Sequence, residues 1–352
     1  MKKIVFVGGG TLGHIFPMLP IVRKIKPDYE LIFIGTTSGL EKALIQDNGL
    51  FDTEYYLDMQ GFVRKLSLKN FTTLKKFLKC KKQAKKILKE LKPSLVIGFG
   101  GYISGVVLIA ATSLKIKTII HEQNAVLGLA NFLVYKKVDR LLLGFPLAKP
   151  LKGDNIKLLG NPRITEIYEN NKNWTENEKL ILVVGGSRGS QVINDCTIKA
   201  KDELVNKGYR IILVTGKKYF EENKNTIPAS TDNFTIIPFT NHLIEFMRKA
   251  SIIVSRSGAT TLSEILGLRK ISILIPSPNV TKNHQEKNAD VLVNSGAAIK
   301  ILERDLNPRK LIDNIEELTV NRLKRIKMIE NMIKIAEISA RDKFIKEMEM
   351  II

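Results

Sequence analysis

Lys3-Ile-Val-Phe-Val7 runs into Gly8-Gly9-Gly10-Thr11-Leu12-Gly13-His14, and in the second half of the chain Leu180-Ile-Leu-Val-Val184 runs into Gly185-Gly186-Ser187-Arg188-Gly189-Ser190. A short run that is apolar at every position reads as a parallel strand covered on both faces. A glycine turn that ends such a strand and opens a helix exposes backbone N–H groups, and the helix dipole adds to their pull on a phosphate or another electron-rich ligand. Two copies predict two similar domains facing each other across a cleft, with one ligand for each.

The rest of the chain keeps the same rhythm. Strand-like runs at Leu31–Ile34, Leu95–Ile97, Thr118–His121, Leu141–Leu143, Ile211–Val214, Phe234–Ile237, Ile252–Val254 and Ile271–Ile275 alternate with helical patterns such as Leu74–Leu91, Val192–Val205 and His284–Asn294. The class is therefore α/β, with two Rossmann-like doubly wound domains. The expected boundary is Gly160-Asn161-Pro162-Arg163, which follows the run Ile156–Leu159 and precedes a polar stretch, Asn170–Glu178. This assigns residues 1–160 to the first domain and 161–330 to the second. The charged amphipathic end of the chain, 330–352, is placed to pack back on the first domain.

With 352 residues, 44% hydrophobic and 26% charged, the composition is that of a folded chain with room for two cores. No apolar run is long enough to span a bilayer, and Met1-Lys-Lys-Ile-Val enters a strand where a signal peptide would stand. Cys80 and Cys196 have neither disulfide-like nor ligand-like spacing and fit a reducing compartment. Against 35 acidic residues stand 56 basic ones, a formal charge of +21 that favours anionic partners. The excess is concentrated from Arg64 to Lys92, where 12 Lys/Arg accompany one acid. Phe77, Cys80, Ala84, Ile87 and Leu91 form a core-facing helical stripe there, whereas Leu66, Leu68, Phe71 and Leu74 are expected to touch an anionic membrane surface. No nucleic-acid recognition motif accompanies the charge, so no nucleic acid is expected.

Gly8–Gly13 fits the loose dinucleotide pattern, yet the second strand ends Ile34-Gly35-Thr36-Thr37 without the acid that would hold a ribose. That argues against NAD. His14 follows the loop directly, where a neutral imidazole could take a proton from an attacking hydroxyl; a helix-start histidine bonded to backbone is the alternative. Gly98-Phe-Gly-Gly-Tyr-Ile-Ser-Gly105 and His121-Glu-Gln-Asn124 each follow an apolar strand, and the second places four polar side chains where ligand contacts are expected. In the second half, Ser255-Arg-Ser-Gly-Ala-Thr-Thr-Leu-Ser-Glu264 sets a glycine turn before a helix, with Glu264 able to accept from two ribose hydroxyls. After Pro276, Gln285 offers an amide that both donates and accepts, which suits sugar hydroxyls.

Taken in order, Gly-Gly-Gly-Thr-x-Gly-His-x-x-Pro, Gly-Gly-Tyr-x-Ser-Gly, His-Glu-Gln-Asn, Gly-Asn-Pro, Gly-Gly-Ser-x-Gly, Ser-Arg-Ser-Gly-Ala-x-Thr-x-Ser-Glu and the later Gln-x-x-Asn resemble the MurG glycosyltransferases of bacterial cell-wall synthesis across essentially the whole chain. The resemblance implies a GT-B fold and an inverting transfer of GlcNAc from UDP-GlcNAc. The acceptor it implies is the C4 hydroxyl of undecaprenyl-pyrophosphoryl-MurNAc-pentapeptide (lipid I), and the product lipid II. It also implies a peripheral place on the cytoplasmic face of the cell membrane.

By the same resemblance, Ser187 and Arg163 lie near the UDP diphosphate and Thr240 at the uracil. Ala259, Thr260, Thr261, Leu262 and Glu264 surround diphosphate and ribose, and Gln285 meets the GlcNAc hydroxyls. Thr11, Leu12, Gly13 and Asn124 approach the sugar from the first domain, with His14 as candidate base. Two departures stand out: Leu12 occupies a frequent glycine position, and the arginine after Asn-Pro often stands one residue later than Arg163. No Asp-x-Asp pair has a metal-binding context, so neither metal nor cofactor is expected. The same fold would also serve a transferase acting on another lipid, a UDP-GlcNAc 2-epimerase, or a non-catalytic nucleotide-binding scaffold.

Overall fold

Ile4, Val5, Phe6 and Val7 are all fully buried, which requires cover on both faces of their strand. In the computed structural model, which describes residues 1–39, 41–61, 69–171, 177–186 and 189–352, that strand is β1 (Lys2–Val7). It lies in a seven-stranded sheet with β2 (Tyr29–Thr36), β3 (Thr53–Leu57), β4 (Leu95–Gly98), β5 (Lys117–Glu122), β6 (Arg140–Leu143) and β7 (Ile156–Leu158), ordered β3-β2-β1-β4-β5-β6-β7. Every pairing is parallel. Leu66, Leu68 and Ser187 lie outside the described residues, as does the side chain of Phe71.

The second sheet repeats the plan. β8 (Asn177–Val184), β9 (Arg210–Val214), β10 (Phe234–Ile237), β11 (Ala250–Ser255), β12 (Ile271–Leu274) and β13 (Ile299–Lys300) run parallel in the order β10-β9-β8-β11-β12-β13. In both sheets the chain starts in the middle, winds outward, then returns to the other side of its first strand. The point of reversal, between β1 and β4 and between β8 and β11, opens a crevice at the carboxyl ends of the strands. Register then decides what meets there. Val7 pairs with Gly98, so the first and third glycine clusters leave the sheet side by side. Val184 pairs with Ser255, so Gly185 and the stretch Ser255–Glu264 likewise leave their sheet side by side.

The chain divides into Met1–Glu166 together with Glu337–Ile352, and Ile167–Ala336. The terminal helix Ala340–Glu349 belongs to the first unit because its apolar residues complete that core. Phe344 is fully buried and stacks on Phe99 at 5.9 Å between ring centroids, and Phe99 stacks on Phe6 at 6.1 Å. Glu347 closes the same contact, accepting from Arg140 Nε at 3.1 Å and Lys157 Nζ at 2.6 Å. Burial alone would raise the Glu347 pKa, but these two cations hold it below the usual carboxylate range.

The helix Lys69–Leu91 buries Thr73, Cys80, Ala84 and Leu88, with Phe77, Ile87 and Leu91 at the margin of the core. Leu74 and Leu78 remain exposed on it. The half-buried edge strand β3 and the two-residue β13 carry no strong apolar run, which is why periodicity did not single them out.

Candidate active site

The loop after β1 does not lead directly into an α-helix. One 3-10 turn, Leu12–His14, follows it, and the α-helix begins only at Leu19. The expectation of an α-helix N-terminus directly behind the first glycine loop is therefore corrected, and the 3-10 turn ends on His14. Its Nδ1 lies 2.8 Å from the Gly9 carbonyl oxygen, with Thr11 Oγ1 at 3.4 Å. A carbonyl only accepts, so Nδ1 carries the hydrogen and Nε2 is the basic nitrogen. The backbone bond thus selects the tautomer that a general base needs.

The Gly98–Gly105 cluster packs against this arrangement. A Cβ on Gly100 would lie 2.6 Å from His14 Cδ2, and one on Gly101 would lie 2.3 Å from the Gly9 oxygen. Both glycines also hold positive φ, +114° and +82°, which side chains rarely adopt. Only glycine lets this loop support the imidazole from behind.

His121, Glu122 and Gln123 are interior, and this corrects the expectation that all four residues of His121–Asn124 meet ligand. Their strand is covered on both faces, so their polar groups pair within the protein. Glu122 accepts from Asn124 N at 3.0 Å, Asn124 Nδ2 at 3.1 Å, Gly128 N at 2.8 Å and Asn131 Nδ2 at 2.9 Å, which moulds the loop after β5. Gln123 donates to the Phe99 carbonyl at 2.6 Å. His121 faces the Gly160 carbonyl through Nε2 at 3.4 Å and the Gln123 amide nitrogen through Nδ1 at 3.3 Å. It must therefore stay neutral, since a second ring N–H would point at an amide donor. Asn124, half-buried, is the member placed at the loop surface.

Burial depresses the His121 pKa from 6.5 to about 4, with the Gly160 bond opposing the shift. Above pH 6.5 the side chain is neutral folded or unfolded. As pH falls below 6.5 the unfolded chain takes up a proton that the folded chain refuses, until the folded group also titrates at about pH 4. Over that window His121 is expected to remove roughly 3 kcal/mol of stability. Urea unfolding at pH 7.5, 6 and 5 checks this: the wild type should lose more stability than His121→Gln, and parallel losses would refute it.

In the second unit, the helix Ala259–Leu268 starts at Gly258, whose cap position carries no side-chain hydrogen bond. A Cβ built on Gly258 meets nothing within 4 Å. No side chain of the cap residue occupies the first-turn amides, and at a helix start such N–H groups and the helix dipole favour an anion. By contrast, Ser190 caps the helix Gln191–Asn206, accepting from Ile193 N at 3.4 Å. Ser190 Oγ also accepts from Arg256 at 2.6 Å, and Arg256 donates to the Ile275 carbonyl at 3.1 Å and pairs with Glu303. This guanidinium ties together the ends of β8, β11 and β12.

Ser257 Oγ donates to the Gln285 carbonyl at 2.8 Å, and Gln285 Oε1 accepts from Ser277 N at 2.9 Å, which fixes the side-chain amide in place. Glu264 is 6% exposed, not on a solvated face. Thr240 follows β10 and its hydroxyl accepts from His242 N at 2.9 Å; beside it Phe239 is half exposed, a flat apolar surface that sequence reading overlooked.

Comparison with known proteins matches two family models along the chain. Residues 4–143 fit the glycosyltransferase family 28 N-terminal domain, and residues 180–347 fit the family's C-terminal domain. The UDP-N-acetylglucosamine–N-acetylmuramyl-(pentapeptide) pyrophosphoryl-undecaprenol N-acetylglucosamine transferase of Oenococcus oeni is 38% identical, over 99% of this chain and 97% of its own. The chain belongs to the MurG family. A crystal structure of MurG from Acinetobacter baumannii superposes with a TM-score of 0.77 at 25% identity, covering 99% of each chain. The architecture is thus the GT-B arrangement of two Rossmann-like domains. UDP-GlcNAc 2-epimerase from Neisseria meningitidis, bound to UDP-GlcNAc, shares that fold at a TM-score of 0.66 and 16% identity, covering 99% of each chain.

Within this MurG-family chain, Thr11, Leu12, Gly13 and His14 share one loop, and Asn124 follows β5 in the same unit. Thr240, Ala259, Thr260, Thr261, Leu262, Glu264 and Gln285 all follow the carboxyl ends of strands in the second sheet. Arg163 lies in the first unit, where it shares Glu166 with Arg23 and holds its guanidinium 5.3 Å from the Phe16 ring centroid. A phosphate at Arg163 would compete with that carboxylate. Among the described residues no group of three His, Cys, Asp or Glu side chains is placed to hold a metal ion, and no helix is long and apolar enough to cross a membrane.

Proposed function

We propose that this chain transfers GlcNAc from UDP-GlcNAc to the C4 hydroxyl of lipid I, yielding lipid II for peptidoglycan synthesis. The carrying observation is the division of chemistry between the units: a tautomer-fixed His14 in the first, an uncapped helix start with a buried Glu264 in the second. The acceptor hydroxyl attacks the anomeric carbon from the face opposite UDP, so configuration inverts. His14 Nε2 takes the hydroxyl proton as the new bond forms. UDP departs with negative charge growing on its β-phosphate, and the amides of Gly258–Thr261 stabilise it without having to reorganise. Glu264 holds the ribose, Thr240 the uracil, and Gln285 the GlcNAc hydroxyls.

Incubating the purified chain with UDP-GlcNAc and a short-chain lipid I analogue tests the reading. Disaccharide-bearing product is expected. UDP-ManNAc formed without any lipid would instead favour epimerisation, and turnover on diacylglycerol but not lipid I would favour another acceptor.

A lipid-linked acceptor also asks the enzyme to sit at a bilayer. Exposed Leu74 and Leu78 lie on the lysine-rich helix Lys69–Leu91, and exposed Leu129, Phe132 and Leu133 stand close to Lys136 and Lys137 in sequence. Both segments pack against the helix Gly101–Ser113. Apolar side chains among lysines suit peripheral binding to an anionic surface at the cytoplasmic face. Replacing Leu74 and Leu78 with serine should lower sedimentation with anionic vesicles about 10-fold, with turnover on a soluble acceptor analogue retained. Undiminished vesicle binding would remove this helix from the membrane contact.

A further inference from the structure

Glu41 is a fully buried carboxylate for which the transfer reaction has no evident use. It begins the helix Glu41–Asn48, beyond β2, and all its recorded partners are donors. Oε1 accepts from Thr36 N at 3.0 Å and from Thr36 Oγ1 at 2.5 Å, while Oε2 accepts from Gly10 N at 3.2 Å. The last bond connects it to His14. Gly10 N–H and the Gly9 carbonyl are the two ends of one peptide group, and that carbonyl is the acceptor for His14 Nδ1 at 2.8 Å. Carboxylate, peptide and imidazole therefore form a single hydrogen-bonded line.

We infer that Glu41 is a positioning residue that acts on His14 through the Gly9–Gly10 peptide. This rests on the reading of His14 as the base. A peptide between two glycines has little steric resistance to flipping, and Gly10 holds φ +84°. Glu41 anchors its N–H end, so its carbonyl stays turned toward the imidazole and keeps the hydrogen on Nδ1. The carboxylate also polarises the peptide, since bonds in series strengthen one another. The carbonyl then better stabilises the imidazolium formed when Nε2 accepts the acceptor's proton. The arrangement does what a carboxylate bonded directly to a histidine would do, with one peptide interposed. It also occupies a loop amide that a phosphate would otherwise use, so part of the glycine loop serves the base.

Glu41→Gln is the selective probe. The amide matches the carboxylate in shape but has only one acceptor oxygen, so either Gly10 N–H or Thr36 N–H must face an NH2 group. Expected are a kcat lowered about 10-fold or more, a KM for UDP-GlcNAc within about twofold, and a changed His14 ring-nitrogen tautomer in 15N NMR of the full chain. Thr36→Val removes one donor from the same buried cluster without touching the peptide, and it should leave the tautomer as in the wild type.

An unchanged tautomer in Glu41→Gln, or the same change in Thr36→Val, overturns the inference. Should Glu41→Gln fail to fold, the wild-type Gly10 amide decides: slow hydrogen exchange is expected, and exchange at the free-loop rate overturns it. If His14→Ala keeps full activity, the reading of His14 as base fails, while the NMR comparison still judges the coupling.

Discussion

Replacing His14 with alanine is expected to lower kcat for GlcNAc transfer by about 10²- to 10⁴-fold, the span that a well-placed general base contributes. UDP binding should stay within about twofold, because the donor contacts are assigned to the other unit. The acid limb of the pH–rate profile should vanish with the side chain, since protonation of Nε2 is what closes that limb. Single-turnover measurement on the lipid I analogue separates this from product release. If the variant turns over at the wild-type rate with the same pH profile, the proton goes to water or to another group, and the Nδ1 bond to Gly9 serves only the loop.

Glu264→Ala is expected to weaken UDP binding by about 10- to 100-fold, as befits loss of charge-assisted bonds to a ribose diol. The carboxylate is nearly buried six residues after the cap of its helix, so its position is set by the fold and not by solvent. Calorimetric titration with UDP, beside titration with uracil-free pyrophosphate, isolates the ribose contribution: only UDP should be affected. UDP affinity equal to the wild type would withdraw Glu264 from the donor site. An equal loss for pyrophosphate would point to a displaced helix start instead.

Much of this site can be read without coordinates because its signals are local. An uninterrupted apolar run such as Ile4–Val7 has few stable uses other than a parallel strand covered on both sides. A glycine turn at its carboxyl end marks the rim where such sheets bind ligands. Ser255–Glu264 and the Gln285 region show themselves the same way, through residue type and spacing. Helices with a clear apolar stripe, like Lys69–Leu91, are legible for the same reason.

What escaped such reading depends on contacts between distant residues. Arg163 has the charge for a phosphate, yet it pairs with Glu166, a carboxylate that also holds Arg23 from far along the chain. His121 to Gln123 have the polarity of ligand contacts, yet strand burial turns them inward. That the charged tail packs back on the first domain was legible, but not that Phe344, stacked on Phe99, is what anchors it.

By itself, then, the sequence determined two α/β units, the placing of their loops and the family of the chemistry, because periodicity and glycine demand are properties of neighbouring residues. Tertiary structure decided which nitrogen of His14 is basic, which polar groups are spent inside the protein, and that Glu41 reaches the Gly9–Gly10 peptide. Those outcomes follow from which donors and acceptors meet in a low-dielectric interior, where each buried polar group must find its partner across the fold.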